Sequence, residues 1–370
     1  MEPSDSEPRT IADLTRIGMQ KASAAARTYA MSGAGNETTV ARNEQAFRAI
    51  ALRSRVLRDV STVDVTTSIL GCHLDLPVML APVGSIAQFH RDGAAAVAKA
   101  ATECGTYMFV GTLSSPAYTD VVSASGRPQM FQLTVGGDRN WTKALIDRLL
   151  DAGCNALCVT VDSPGGGRRD RLLAKRVDFR LERVGEPPSL AGLGRDHSFQ
   201  ATFSWRDFEN LRNDWPQPLA LKGVMHADDA RRAVDLGADA IYVSNHGGRA
   251  LDDALSTIEV LEEISEAVAG QAEVIMDGGV RKGTDVIKAL ALGADAVLVG
   301  RPQCWALSAY GSRGVSMYLG MLREEISTSL ANMGHASLDE LSPLSVRRGS
   351  AGQSSFYGSL NLSADPVHPD

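Results

Sequence analysis

The sequence predicts a (β/α)8 TIM barrel, and three observations carry that prediction. A phrase in which a helix ends in glycine and a short apolar run follows recurs as "LLDAGCNALCVTVD", "AVDLGADAIYVSNH" and "ALALGADAVLVGRP". Eight such apolar, β-prone runs alternate with mostly helical text. Small or polar residues stand where every run ends, and in a barrel of this kind the C-terminal strand ends form the functional face.

The glycine after the last helical turn supplies a left-handed cap. The run that follows is apolar on both faces, as a parallel strand buried on both sides must be. The eight runs are Val78–Ala81, Tyr107–Val110, Gln129–Leu133, Ala156–Val161, Leu219–Leu221, Ala240–Val243, Glu273–Met276 and Ala296–Val299. Between them, "WTKALIDRLLDAG" places positions 141, 145, 146, 149 and 150 on one helical face. "GTDVIKALALG" reads as a helix with Thr284 as its N-cap. An open doubly wound sheet is the competing architecture, but no GxGxxG follows the first run.

Residues 1–370 read as one domain with three parts outside the repeat. Residues 1–60 look like a helical extension, with "VARNEQAFRAIALRSRVL" as its clearest amphipathic text. Residues 163–205 form a long polar excursion after the fourth run, expected to act as a lid. The Ser- and Gly-rich stretch 349–370 is expected to be a mobile tail.

With 44% hydrophobic residues in 370 the chain can bury a sizeable core, and 35 glycines suit a fold with many tight turns. A net charge of −7 argues against nucleic-acid or anionic-membrane partners. "MEPSDSEPRT" is acidic and polar, unlike a secretory leader, and no apolar run approaches the ~20 residues of a membrane span. The expectation is a soluble, cytoplasmic protein. Its five cysteines, Cys72, Cys104, Cys154, Cys158 and Cys304, are scattered and odd in number, so they read as reduced core residues with no metal site.

The strand ends carry chemically useful groups: Pro82, Val83 and Gly84, then Gly111 and Thr112, Gln132, Thr160 and Asp162, Lys222, Ser244 and His246, Asp277, Gly278 and Gly279, and Gly300 and Arg301. The last two ends, "DGGVRKGTD" and "VGRP", look like a phosphate cradle, with glycines for backbone approach and Arg281 and Arg301 for neutralisation. His246 with Asp162 makes a base and its orienting carboxylate. Arg249 and Arg169 suit bidentate capture of a carboxylate. Lys222, in the apolar "PLALKGV", is either a Schiff-base nucleophile or a fixed positive charge against an electron-rich group.

"LKGV…DDARRAVDLGADAIYVSNHGGR", "DGGVRKGTDVIKALALGADAV" and "VGRP" closely resemble the FMN-dependent 2-hydroxy-acid oxidase and dehydrogenase family, which includes glycolate and lactate oxidases and mandelate dehydrogenases. The resemblance runs from about Thr28 to Asn332. It implies FMN as cofactor and oxidation of an (S)-2-hydroxy acid to the 2-oxo acid, with oxygen or another acceptor reoxidising the flavin. His246 would be the base paired with Asp162, and Arg249, Arg169 and Tyr29 of "TYAMSG" would bind substrate. Lys222 would lie against the flavin N1–C2 carbonyl edge, and Pro82, Val83, Gly84, Ser114, Gln132, Thr160 and Ser244 would contact the ring or ribityl chain. Asp277, Gly278, Gly279, Arg281, Gly300 and Arg301 would hold ribityl and phosphate. The family also implies a homotetramer.

Three positions depart from the family pattern. Thr134 in "FQLTV" stands where a tyrosine is usual, Pro116 follows the serine pair Ser114 and Ser115, and Gly84 replaces the alanine common in oxidases. The first two changes imply a roomier pocket and favour a larger or aromatic, mandelate-like acid. The competing functions are a flavin-dependent oxidative decarboxylase, a flavin-free sugar-phosphate barrel using Lys222, and a flavoprotein that has lost turnover and acts as a binding partner.

Overall fold

The computed structural model describes residues 7–176, 192, 193, 196 and 198–349. Eight parallel strands form its centre: β1 (Val78–Leu80), β2 (Phe109–Gly111), β3 (Met130–Leu133), β4 (Leu157–Thr160), β5 (Leu219–Val224), β6 (Ala240–Val243), β7 (Glu273–Met276) and β8 (Ala296–Val299). From β2 to β8 each pairs with the next in sequence order, and β8 pairs back onto β1. The ring is completed between β1 and β2 by a parallel bridge from Leu80 to Met108, with the Leu80 N–H donating to the Tyr107 carbonyl at 3.0 Å. The predicted (β/α)8 TIM barrel is the fold.

The recurring "LGAD" phrase has a structural reason. Asp239 and Asp295 each follow the helix-ending glycine and reach back to the preceding strand. Asp239 accepts the Leu219 N–H at 2.8 Å, and Asp295 accepts the Val274 N–H at 2.7 Å. The motif therefore satisfies strand-entry donors that no ladder reaches.

Strand side chains alternate between two buried layers. Val78, Leu80, Val110 and Phe131 pack outward against the helices. Met79, Phe109, Met130, Cys158, Tyr242 and Leu298 fill the barrel. The hairpin Thr67–Ile69 and Cys72–Leu74 adds Ile69, Leu70 and Leu74 to that interior cluster, plugging the mouth at the N-terminal strand ends. The same two-residue period carries the inward positions onward to Thr160 and Asp162, to Lys222, to Ser244 and His246, and to Asp277.

Three helices precede the barrel: α1 (Ile11–Lys21), α2 (Ala24–Met31) and α3 (Thr38–Arg48). The amphipathic text expected to run on to residue 57 ends its helix at Arg48. Ile50–Leu52 instead pairs antiparallel with Val346–Arg348, so a partner from the far end of the chain overrides the helical pattern. A second correction concerns Thr284. The helix Gly283–Ala291 takes Lys282 as its N-cap position, and Asp285 accepts the N–H groups of Arg281 and Lys282 at 3.2 and 3.3 Å. The helix starts before Thr284, which sits inside its first turn and not at the cap.

Of the stretch 163–205, the described residues include the short helices Asp170–Ala174 and Ser198–Thr202. The expected tail lies outside the described residues apart from Gly349. All five cysteines are free thiols, and no cluster of metal-ligating side chains occurs among the described residues. No described helix is long and apolar enough to cross a membrane.

Candidate active site

The C-terminal strand ends open into a cavity of about 1250 Å³, more than the ~300–1,000 Å³ of a typical single-ligand pocket. Its lining includes Tyr29 from α2, Pro82, Val83 and Gly84 after β1, Gln132 and Thr134 at the end of β3, and Thr160 at the end of β4. Lys222, His246, Arg249, Asp277, Gly278, Gly279, Arg281, Gly300 and Arg301 complete it from β5 to β8, and Arg169 reaches in from the stretch after β4.

Three predicted residues stand behind this surface rather than in it. Ser114 is buried, its hydroxyl 3.2 Å from the Val83 carbonyl. Ser244 is buried between Lys222 and Asp277, accepting from the lysine at 2.7 Å and donating to Asp277 Oδ1 at 2.7 Å. Asp162 lies beneath His246 and Lys222, its side chain only 8% exposed.

Asp162 is the hub of the polar network. Its Oδ1 is 2.7 Å from His246 Nδ1 and its Oδ2 is 3.4 Å from Lys222 Nζ. Burial alone would raise the Asp162 pKa, but the Lys222 ammonium and the hydrogen bond with His246 outweigh it and hold the carboxyl at about 2. Burial likewise pulls the Lys222 pKa down, yet Asp162 and Asp277 override it and raise the value above that of an ordinary lysine. Lys222 is therefore a fixed cation, which removes the neutral amine a Schiff-base nucleophile requires. Tyr242, fully buried in the barrel, donates its hydroxyl to Asp277 Oδ2 at 2.9 Å and thereby supports the second carboxylate.

A bulge at Gly223 makes this contact geometry possible. The β5–β6 register shifts between Lys222 and Val224, and Gly223 sits at φ +111. A Cβ there would stand 2.5 Å from the Asp162 Cβ, so glycine lets the two strand ends close around the ion pair.

His246 occupies the left-handed region at φ 57, uncommon for a side-chain-bearing residue and concentrated at functional sites. Its loop is anchored by a reciprocal amide pair that the sequence does not announce. Asn43 Nδ2 donates to Asn245 Oδ1 at 3.0 Å, and Asn245 Nδ2 donates to Asn43 Oδ1 at 2.8 Å. Because Asp162 engages Nδ1, Nε2 is the ring nitrogen left for a ligand in the cavity.

The arginines define two anion-seeking regions. Arg249 spends one terminal nitrogen on the carbonyls of Tyr29 and Ser32, at 2.7 and 2.9 Å, and stacks 4.4 Å over the Tyr29 ring. Its Nη2 is buried without a hydrogen-bond partner among the described residues. Arg169 lies 5.9 Å from the same ring, so both guanidiniums neighbour one aromatic side chain. Arg281 pairs with Glu44, a cavity residue the sequence reading missed, while its buried Nε has no partner among the described residues.

Arg301, expected to neutralise a phosphate, lines the cavity and also has a bracing role. Its guanidinium donates to the carbonyls of Ala30, Gly247 and Ser32 at 2.7, 3.0 and 3.3 Å, bracing the N-terminal segment against the His246 loop. Burial, with Arg249 and Arg281 nearby, pulls its pKa down to about 9. Positive charge crowded this closely is relieved by a bound anion.

Gly300 and Arg301 open the helix Arg301–Met333, and a Cβ added at Gly300 would meet nothing within 4 Å. Gly300, Arg301, Pro302 and Cys304 all line the cavity, so the N-terminus of this helix borders it, a setting that favours an anion. A phosphate seat, a fixed cation at Lys222 and the hydrogen-bonding amide of Gln132, which donates to Thr134 and Thr160 at 3.0 and 2.8 Å, together suit FMN. Gln200, also unanticipated, closes this side by donating to the Thr160 carbonyl at 2.7 Å and accepting the Val135 N–H at 2.9 Å.

Comparison with known proteins agrees. The profile of the FMN-dependent dehydrogenase family matches residues 19–348. An L-lactate oxidase from Nostoc sp. is 40% identical over 356 residues, covering 91% of this chain and 97% of the relative. Glycolate oxidase 1 from Zea mays is 39% identical, covering 90% and 94%. A crystal structure of mandelate oxidase superimposes with a TM-score of 0.87 at 39% identity, covering 93% of this chain and 99% of the other. The chain thus belongs to the FMN-dependent dehydrogenase family and is an FMN-dependent oxidoreductase acting on the CH–OH group of 2-hydroxy acids.

Proposed function

We propose that the protein oxidises an (S)-2-hydroxy acid with a large or aromatic side chain to the 2-oxo acid, with His246 as base and oxygen as the final acceptor. The observation that carries this reading is the 2.7 Å contact between His246 Nδ1 and Asp162 Oδ1 at a cavity that also presents Lys222, Arg169 and Arg249. FMN, when bound, supplies the two-electron acceptor.

The chain's own residues divide the remaining work. Arg169 and Arg249, both beside the Tyr29 ring, bind the substrate carboxylate and orient the C2 centre toward His246. His246 Nε2 accepts the proton released as C–OH becomes C=O. Asp162 fixes the imidazole tautomer and stabilises the imidazolium that results. Lys222, kept protonated by two carboxylates, supplies a positive charge to the electron-rich side of the reaction.

The side-chain preference rests on the size and lining of the cavity. Thr134 gives a small side chain where a tyrosine is usual, and Leu113, Leu172 and Ala201 add apolar surface. Mandelate oxidase with (S)-4-hydroxymandelic acid is among the similar solved structures, at 38% identity and a TM-score of 0.86.

Anaerobic mixing of the FMN-loaded protein with glycolate, lactate and mandelate tests the reading. Mandelate should bleach the flavin absorbance fastest, and His246→Ala should abolish bleaching while the protein stays yellow. If no 2-hydroxy acid bleaches the flavin, the reading fails.

A further inference from the structure

The helix Asp170–Ala174 carries the cavity residues Leu172 and Leu173 and directly follows Arg169, yet nothing within it explains why it stays in place. It has five residues, no buried side chain and no side-chain cap. A helix this short has no stability of its own in water, so ties from outside must hold it.

Those ties come from the segment between α2 and α3. Arg171 pairs with Glu37 through both of its donor edges, Nε lying 2.7 Å from Oε1 and Nη2 closing on Oε2. Glu37 is itself fixed, because Oε1 also accepts the Gly33 N–H at 3.1 Å. Two residues before Glu37, the Gly35 N–H donates to the Arg168 carbonyl at 3.0 Å. The Glu37 carboxyl is mostly shielded, with 18% side-chain exposure, so the pair is less screened than a surface ion pair. Arg171 holds the Glu37 pKa below the ordinary carboxylate value, against the opposing effect of burial.

Arg169 lies two residues before Arg171 and Leu172 one residue after it, and both line the cavity. We propose that the Glu37–Arg171 pair is a latch that positions Arg169 for carboxylate capture and sets Leu172 as an apolar wall against the substrate side chain. Glu37 and Arg171 are positioning residues and touch no reacting atom. The role assigned to Arg169 rests on the reading under Proposed function, while the latch itself does not.

The test uses the FMN-loaded enzyme with Glu37→Gln, Arg171→Leu, their combination, and the swap Glu37→Arg with Arg171→Glu. Amide hydrogen exchange across residues 169–174 reads the latch directly. Steady-state kinetics with the best-bleaching 2-hydroxy acid read its effect on substrate. Each single variant should speed exchange and raise KM by about tenfold while kcat falls less than threefold. The combined variant should be no worse than either single, and the swap should recover part of both effects.

Unchanged exchange in both single variants overturns the latch. A fall in kcat at unchanged KM overturns the positioning role, as do single-variant effects that multiply in the combination. If no 2-hydroxy acid reduces the flavin, the proposed function fails on its own, and the exchange experiment still decides whether the latch exists.

Discussion

Asp162 joins His246 and Lys222 through different oxygens of one carboxylate, Oδ1 at 2.7 Å and Oδ2 at 3.4 Å. One buried charge thus orients the candidate base and offsets the fixed cation. Asp162→Asn should lower the rate of anaerobic flavin reduction by roughly 10²–10⁴-fold, the range of a lost acid–base arrangement. Rapid-mixing absorbance measurements check this.

The same pair has a pH signature. The Asp162 pKa is depressed to about 2, so its stabilising contribution is present above the unfolded carboxylate value and lost as pH falls through about 2. Lys222 is shifted upward, so its contribution is present below the unfolded lysine value and lost as pH rises through the folded one. Denaturant midpoints in Asp162→Asn should accordingly lose this acid-side dependence. An unchanged acid limb would contradict the assignment.

Thr134 presents a small hydroxyl that accepts from Gln132 at 3.0 Å. Thr134→Tyr should restore a phenolic donor and shorten the pocket. The ratio of kcat/KM for lactate over mandelate should rise roughly tenfold, the value of about one hydrogen bond. Competing-substrate assays measure that ratio without needing absolute rates.

Gly223 cannot accept a side chain without moving Asp162. Gly223→Ala should destabilise the protein by about 2–4 kcal/mol through positive φ and a backbone-proximal clash. Calorimetry reads the loss, and flavin reduction should slow in the surviving folded fraction.

Arg281 offers a buried Nε without a partner among the described residues and lines the same cavity as Gly300. Arg281→Gln should weaken FMN binding by roughly 10–100-fold, as expected for loss of a charge-assisted hydrogen bond. Fluorescence titration of flavin-free protein gives the constant. A change below twofold would place the phosphate elsewhere.

The barrel was readable because its strands are short, apolar on both faces and bracketed by helix-ending glycines. The runs Ala240–Val243, Glu273–Met276 and Ala296–Val299 match the observed strands residue for residue. The fifth run was read too short at Leu221, because Lys222 and Gly223 break the apolar pattern while the strand continues to Val224. Strand-end position also revealed most of the cavity lining. It could not reveal the direction of a long side chain: Arg301 turns toward backbone carbonyls of the N-terminal segment, and Ser244 is screened by Lys222. Nor could it reveal Glu44, Asn43 or Gln200, which reach the site from helices whose docking depends on contacts far apart in sequence.

The N-terminal segment carrying Tyr29 is braced by Arg301, and the anion seat at Gly300 follows the last barrel strand. During synthesis Ala30 leaves the ribosome 271 residues before Arg301, which binds its carbonyl. Cofactor capture must therefore wait until almost the whole chain has emerged. A truncation between His246 and the eighth strand should yield a nascent polypeptide that holds Tyr29 and His246 but lacks the seat for a flavin phosphate at Gly300.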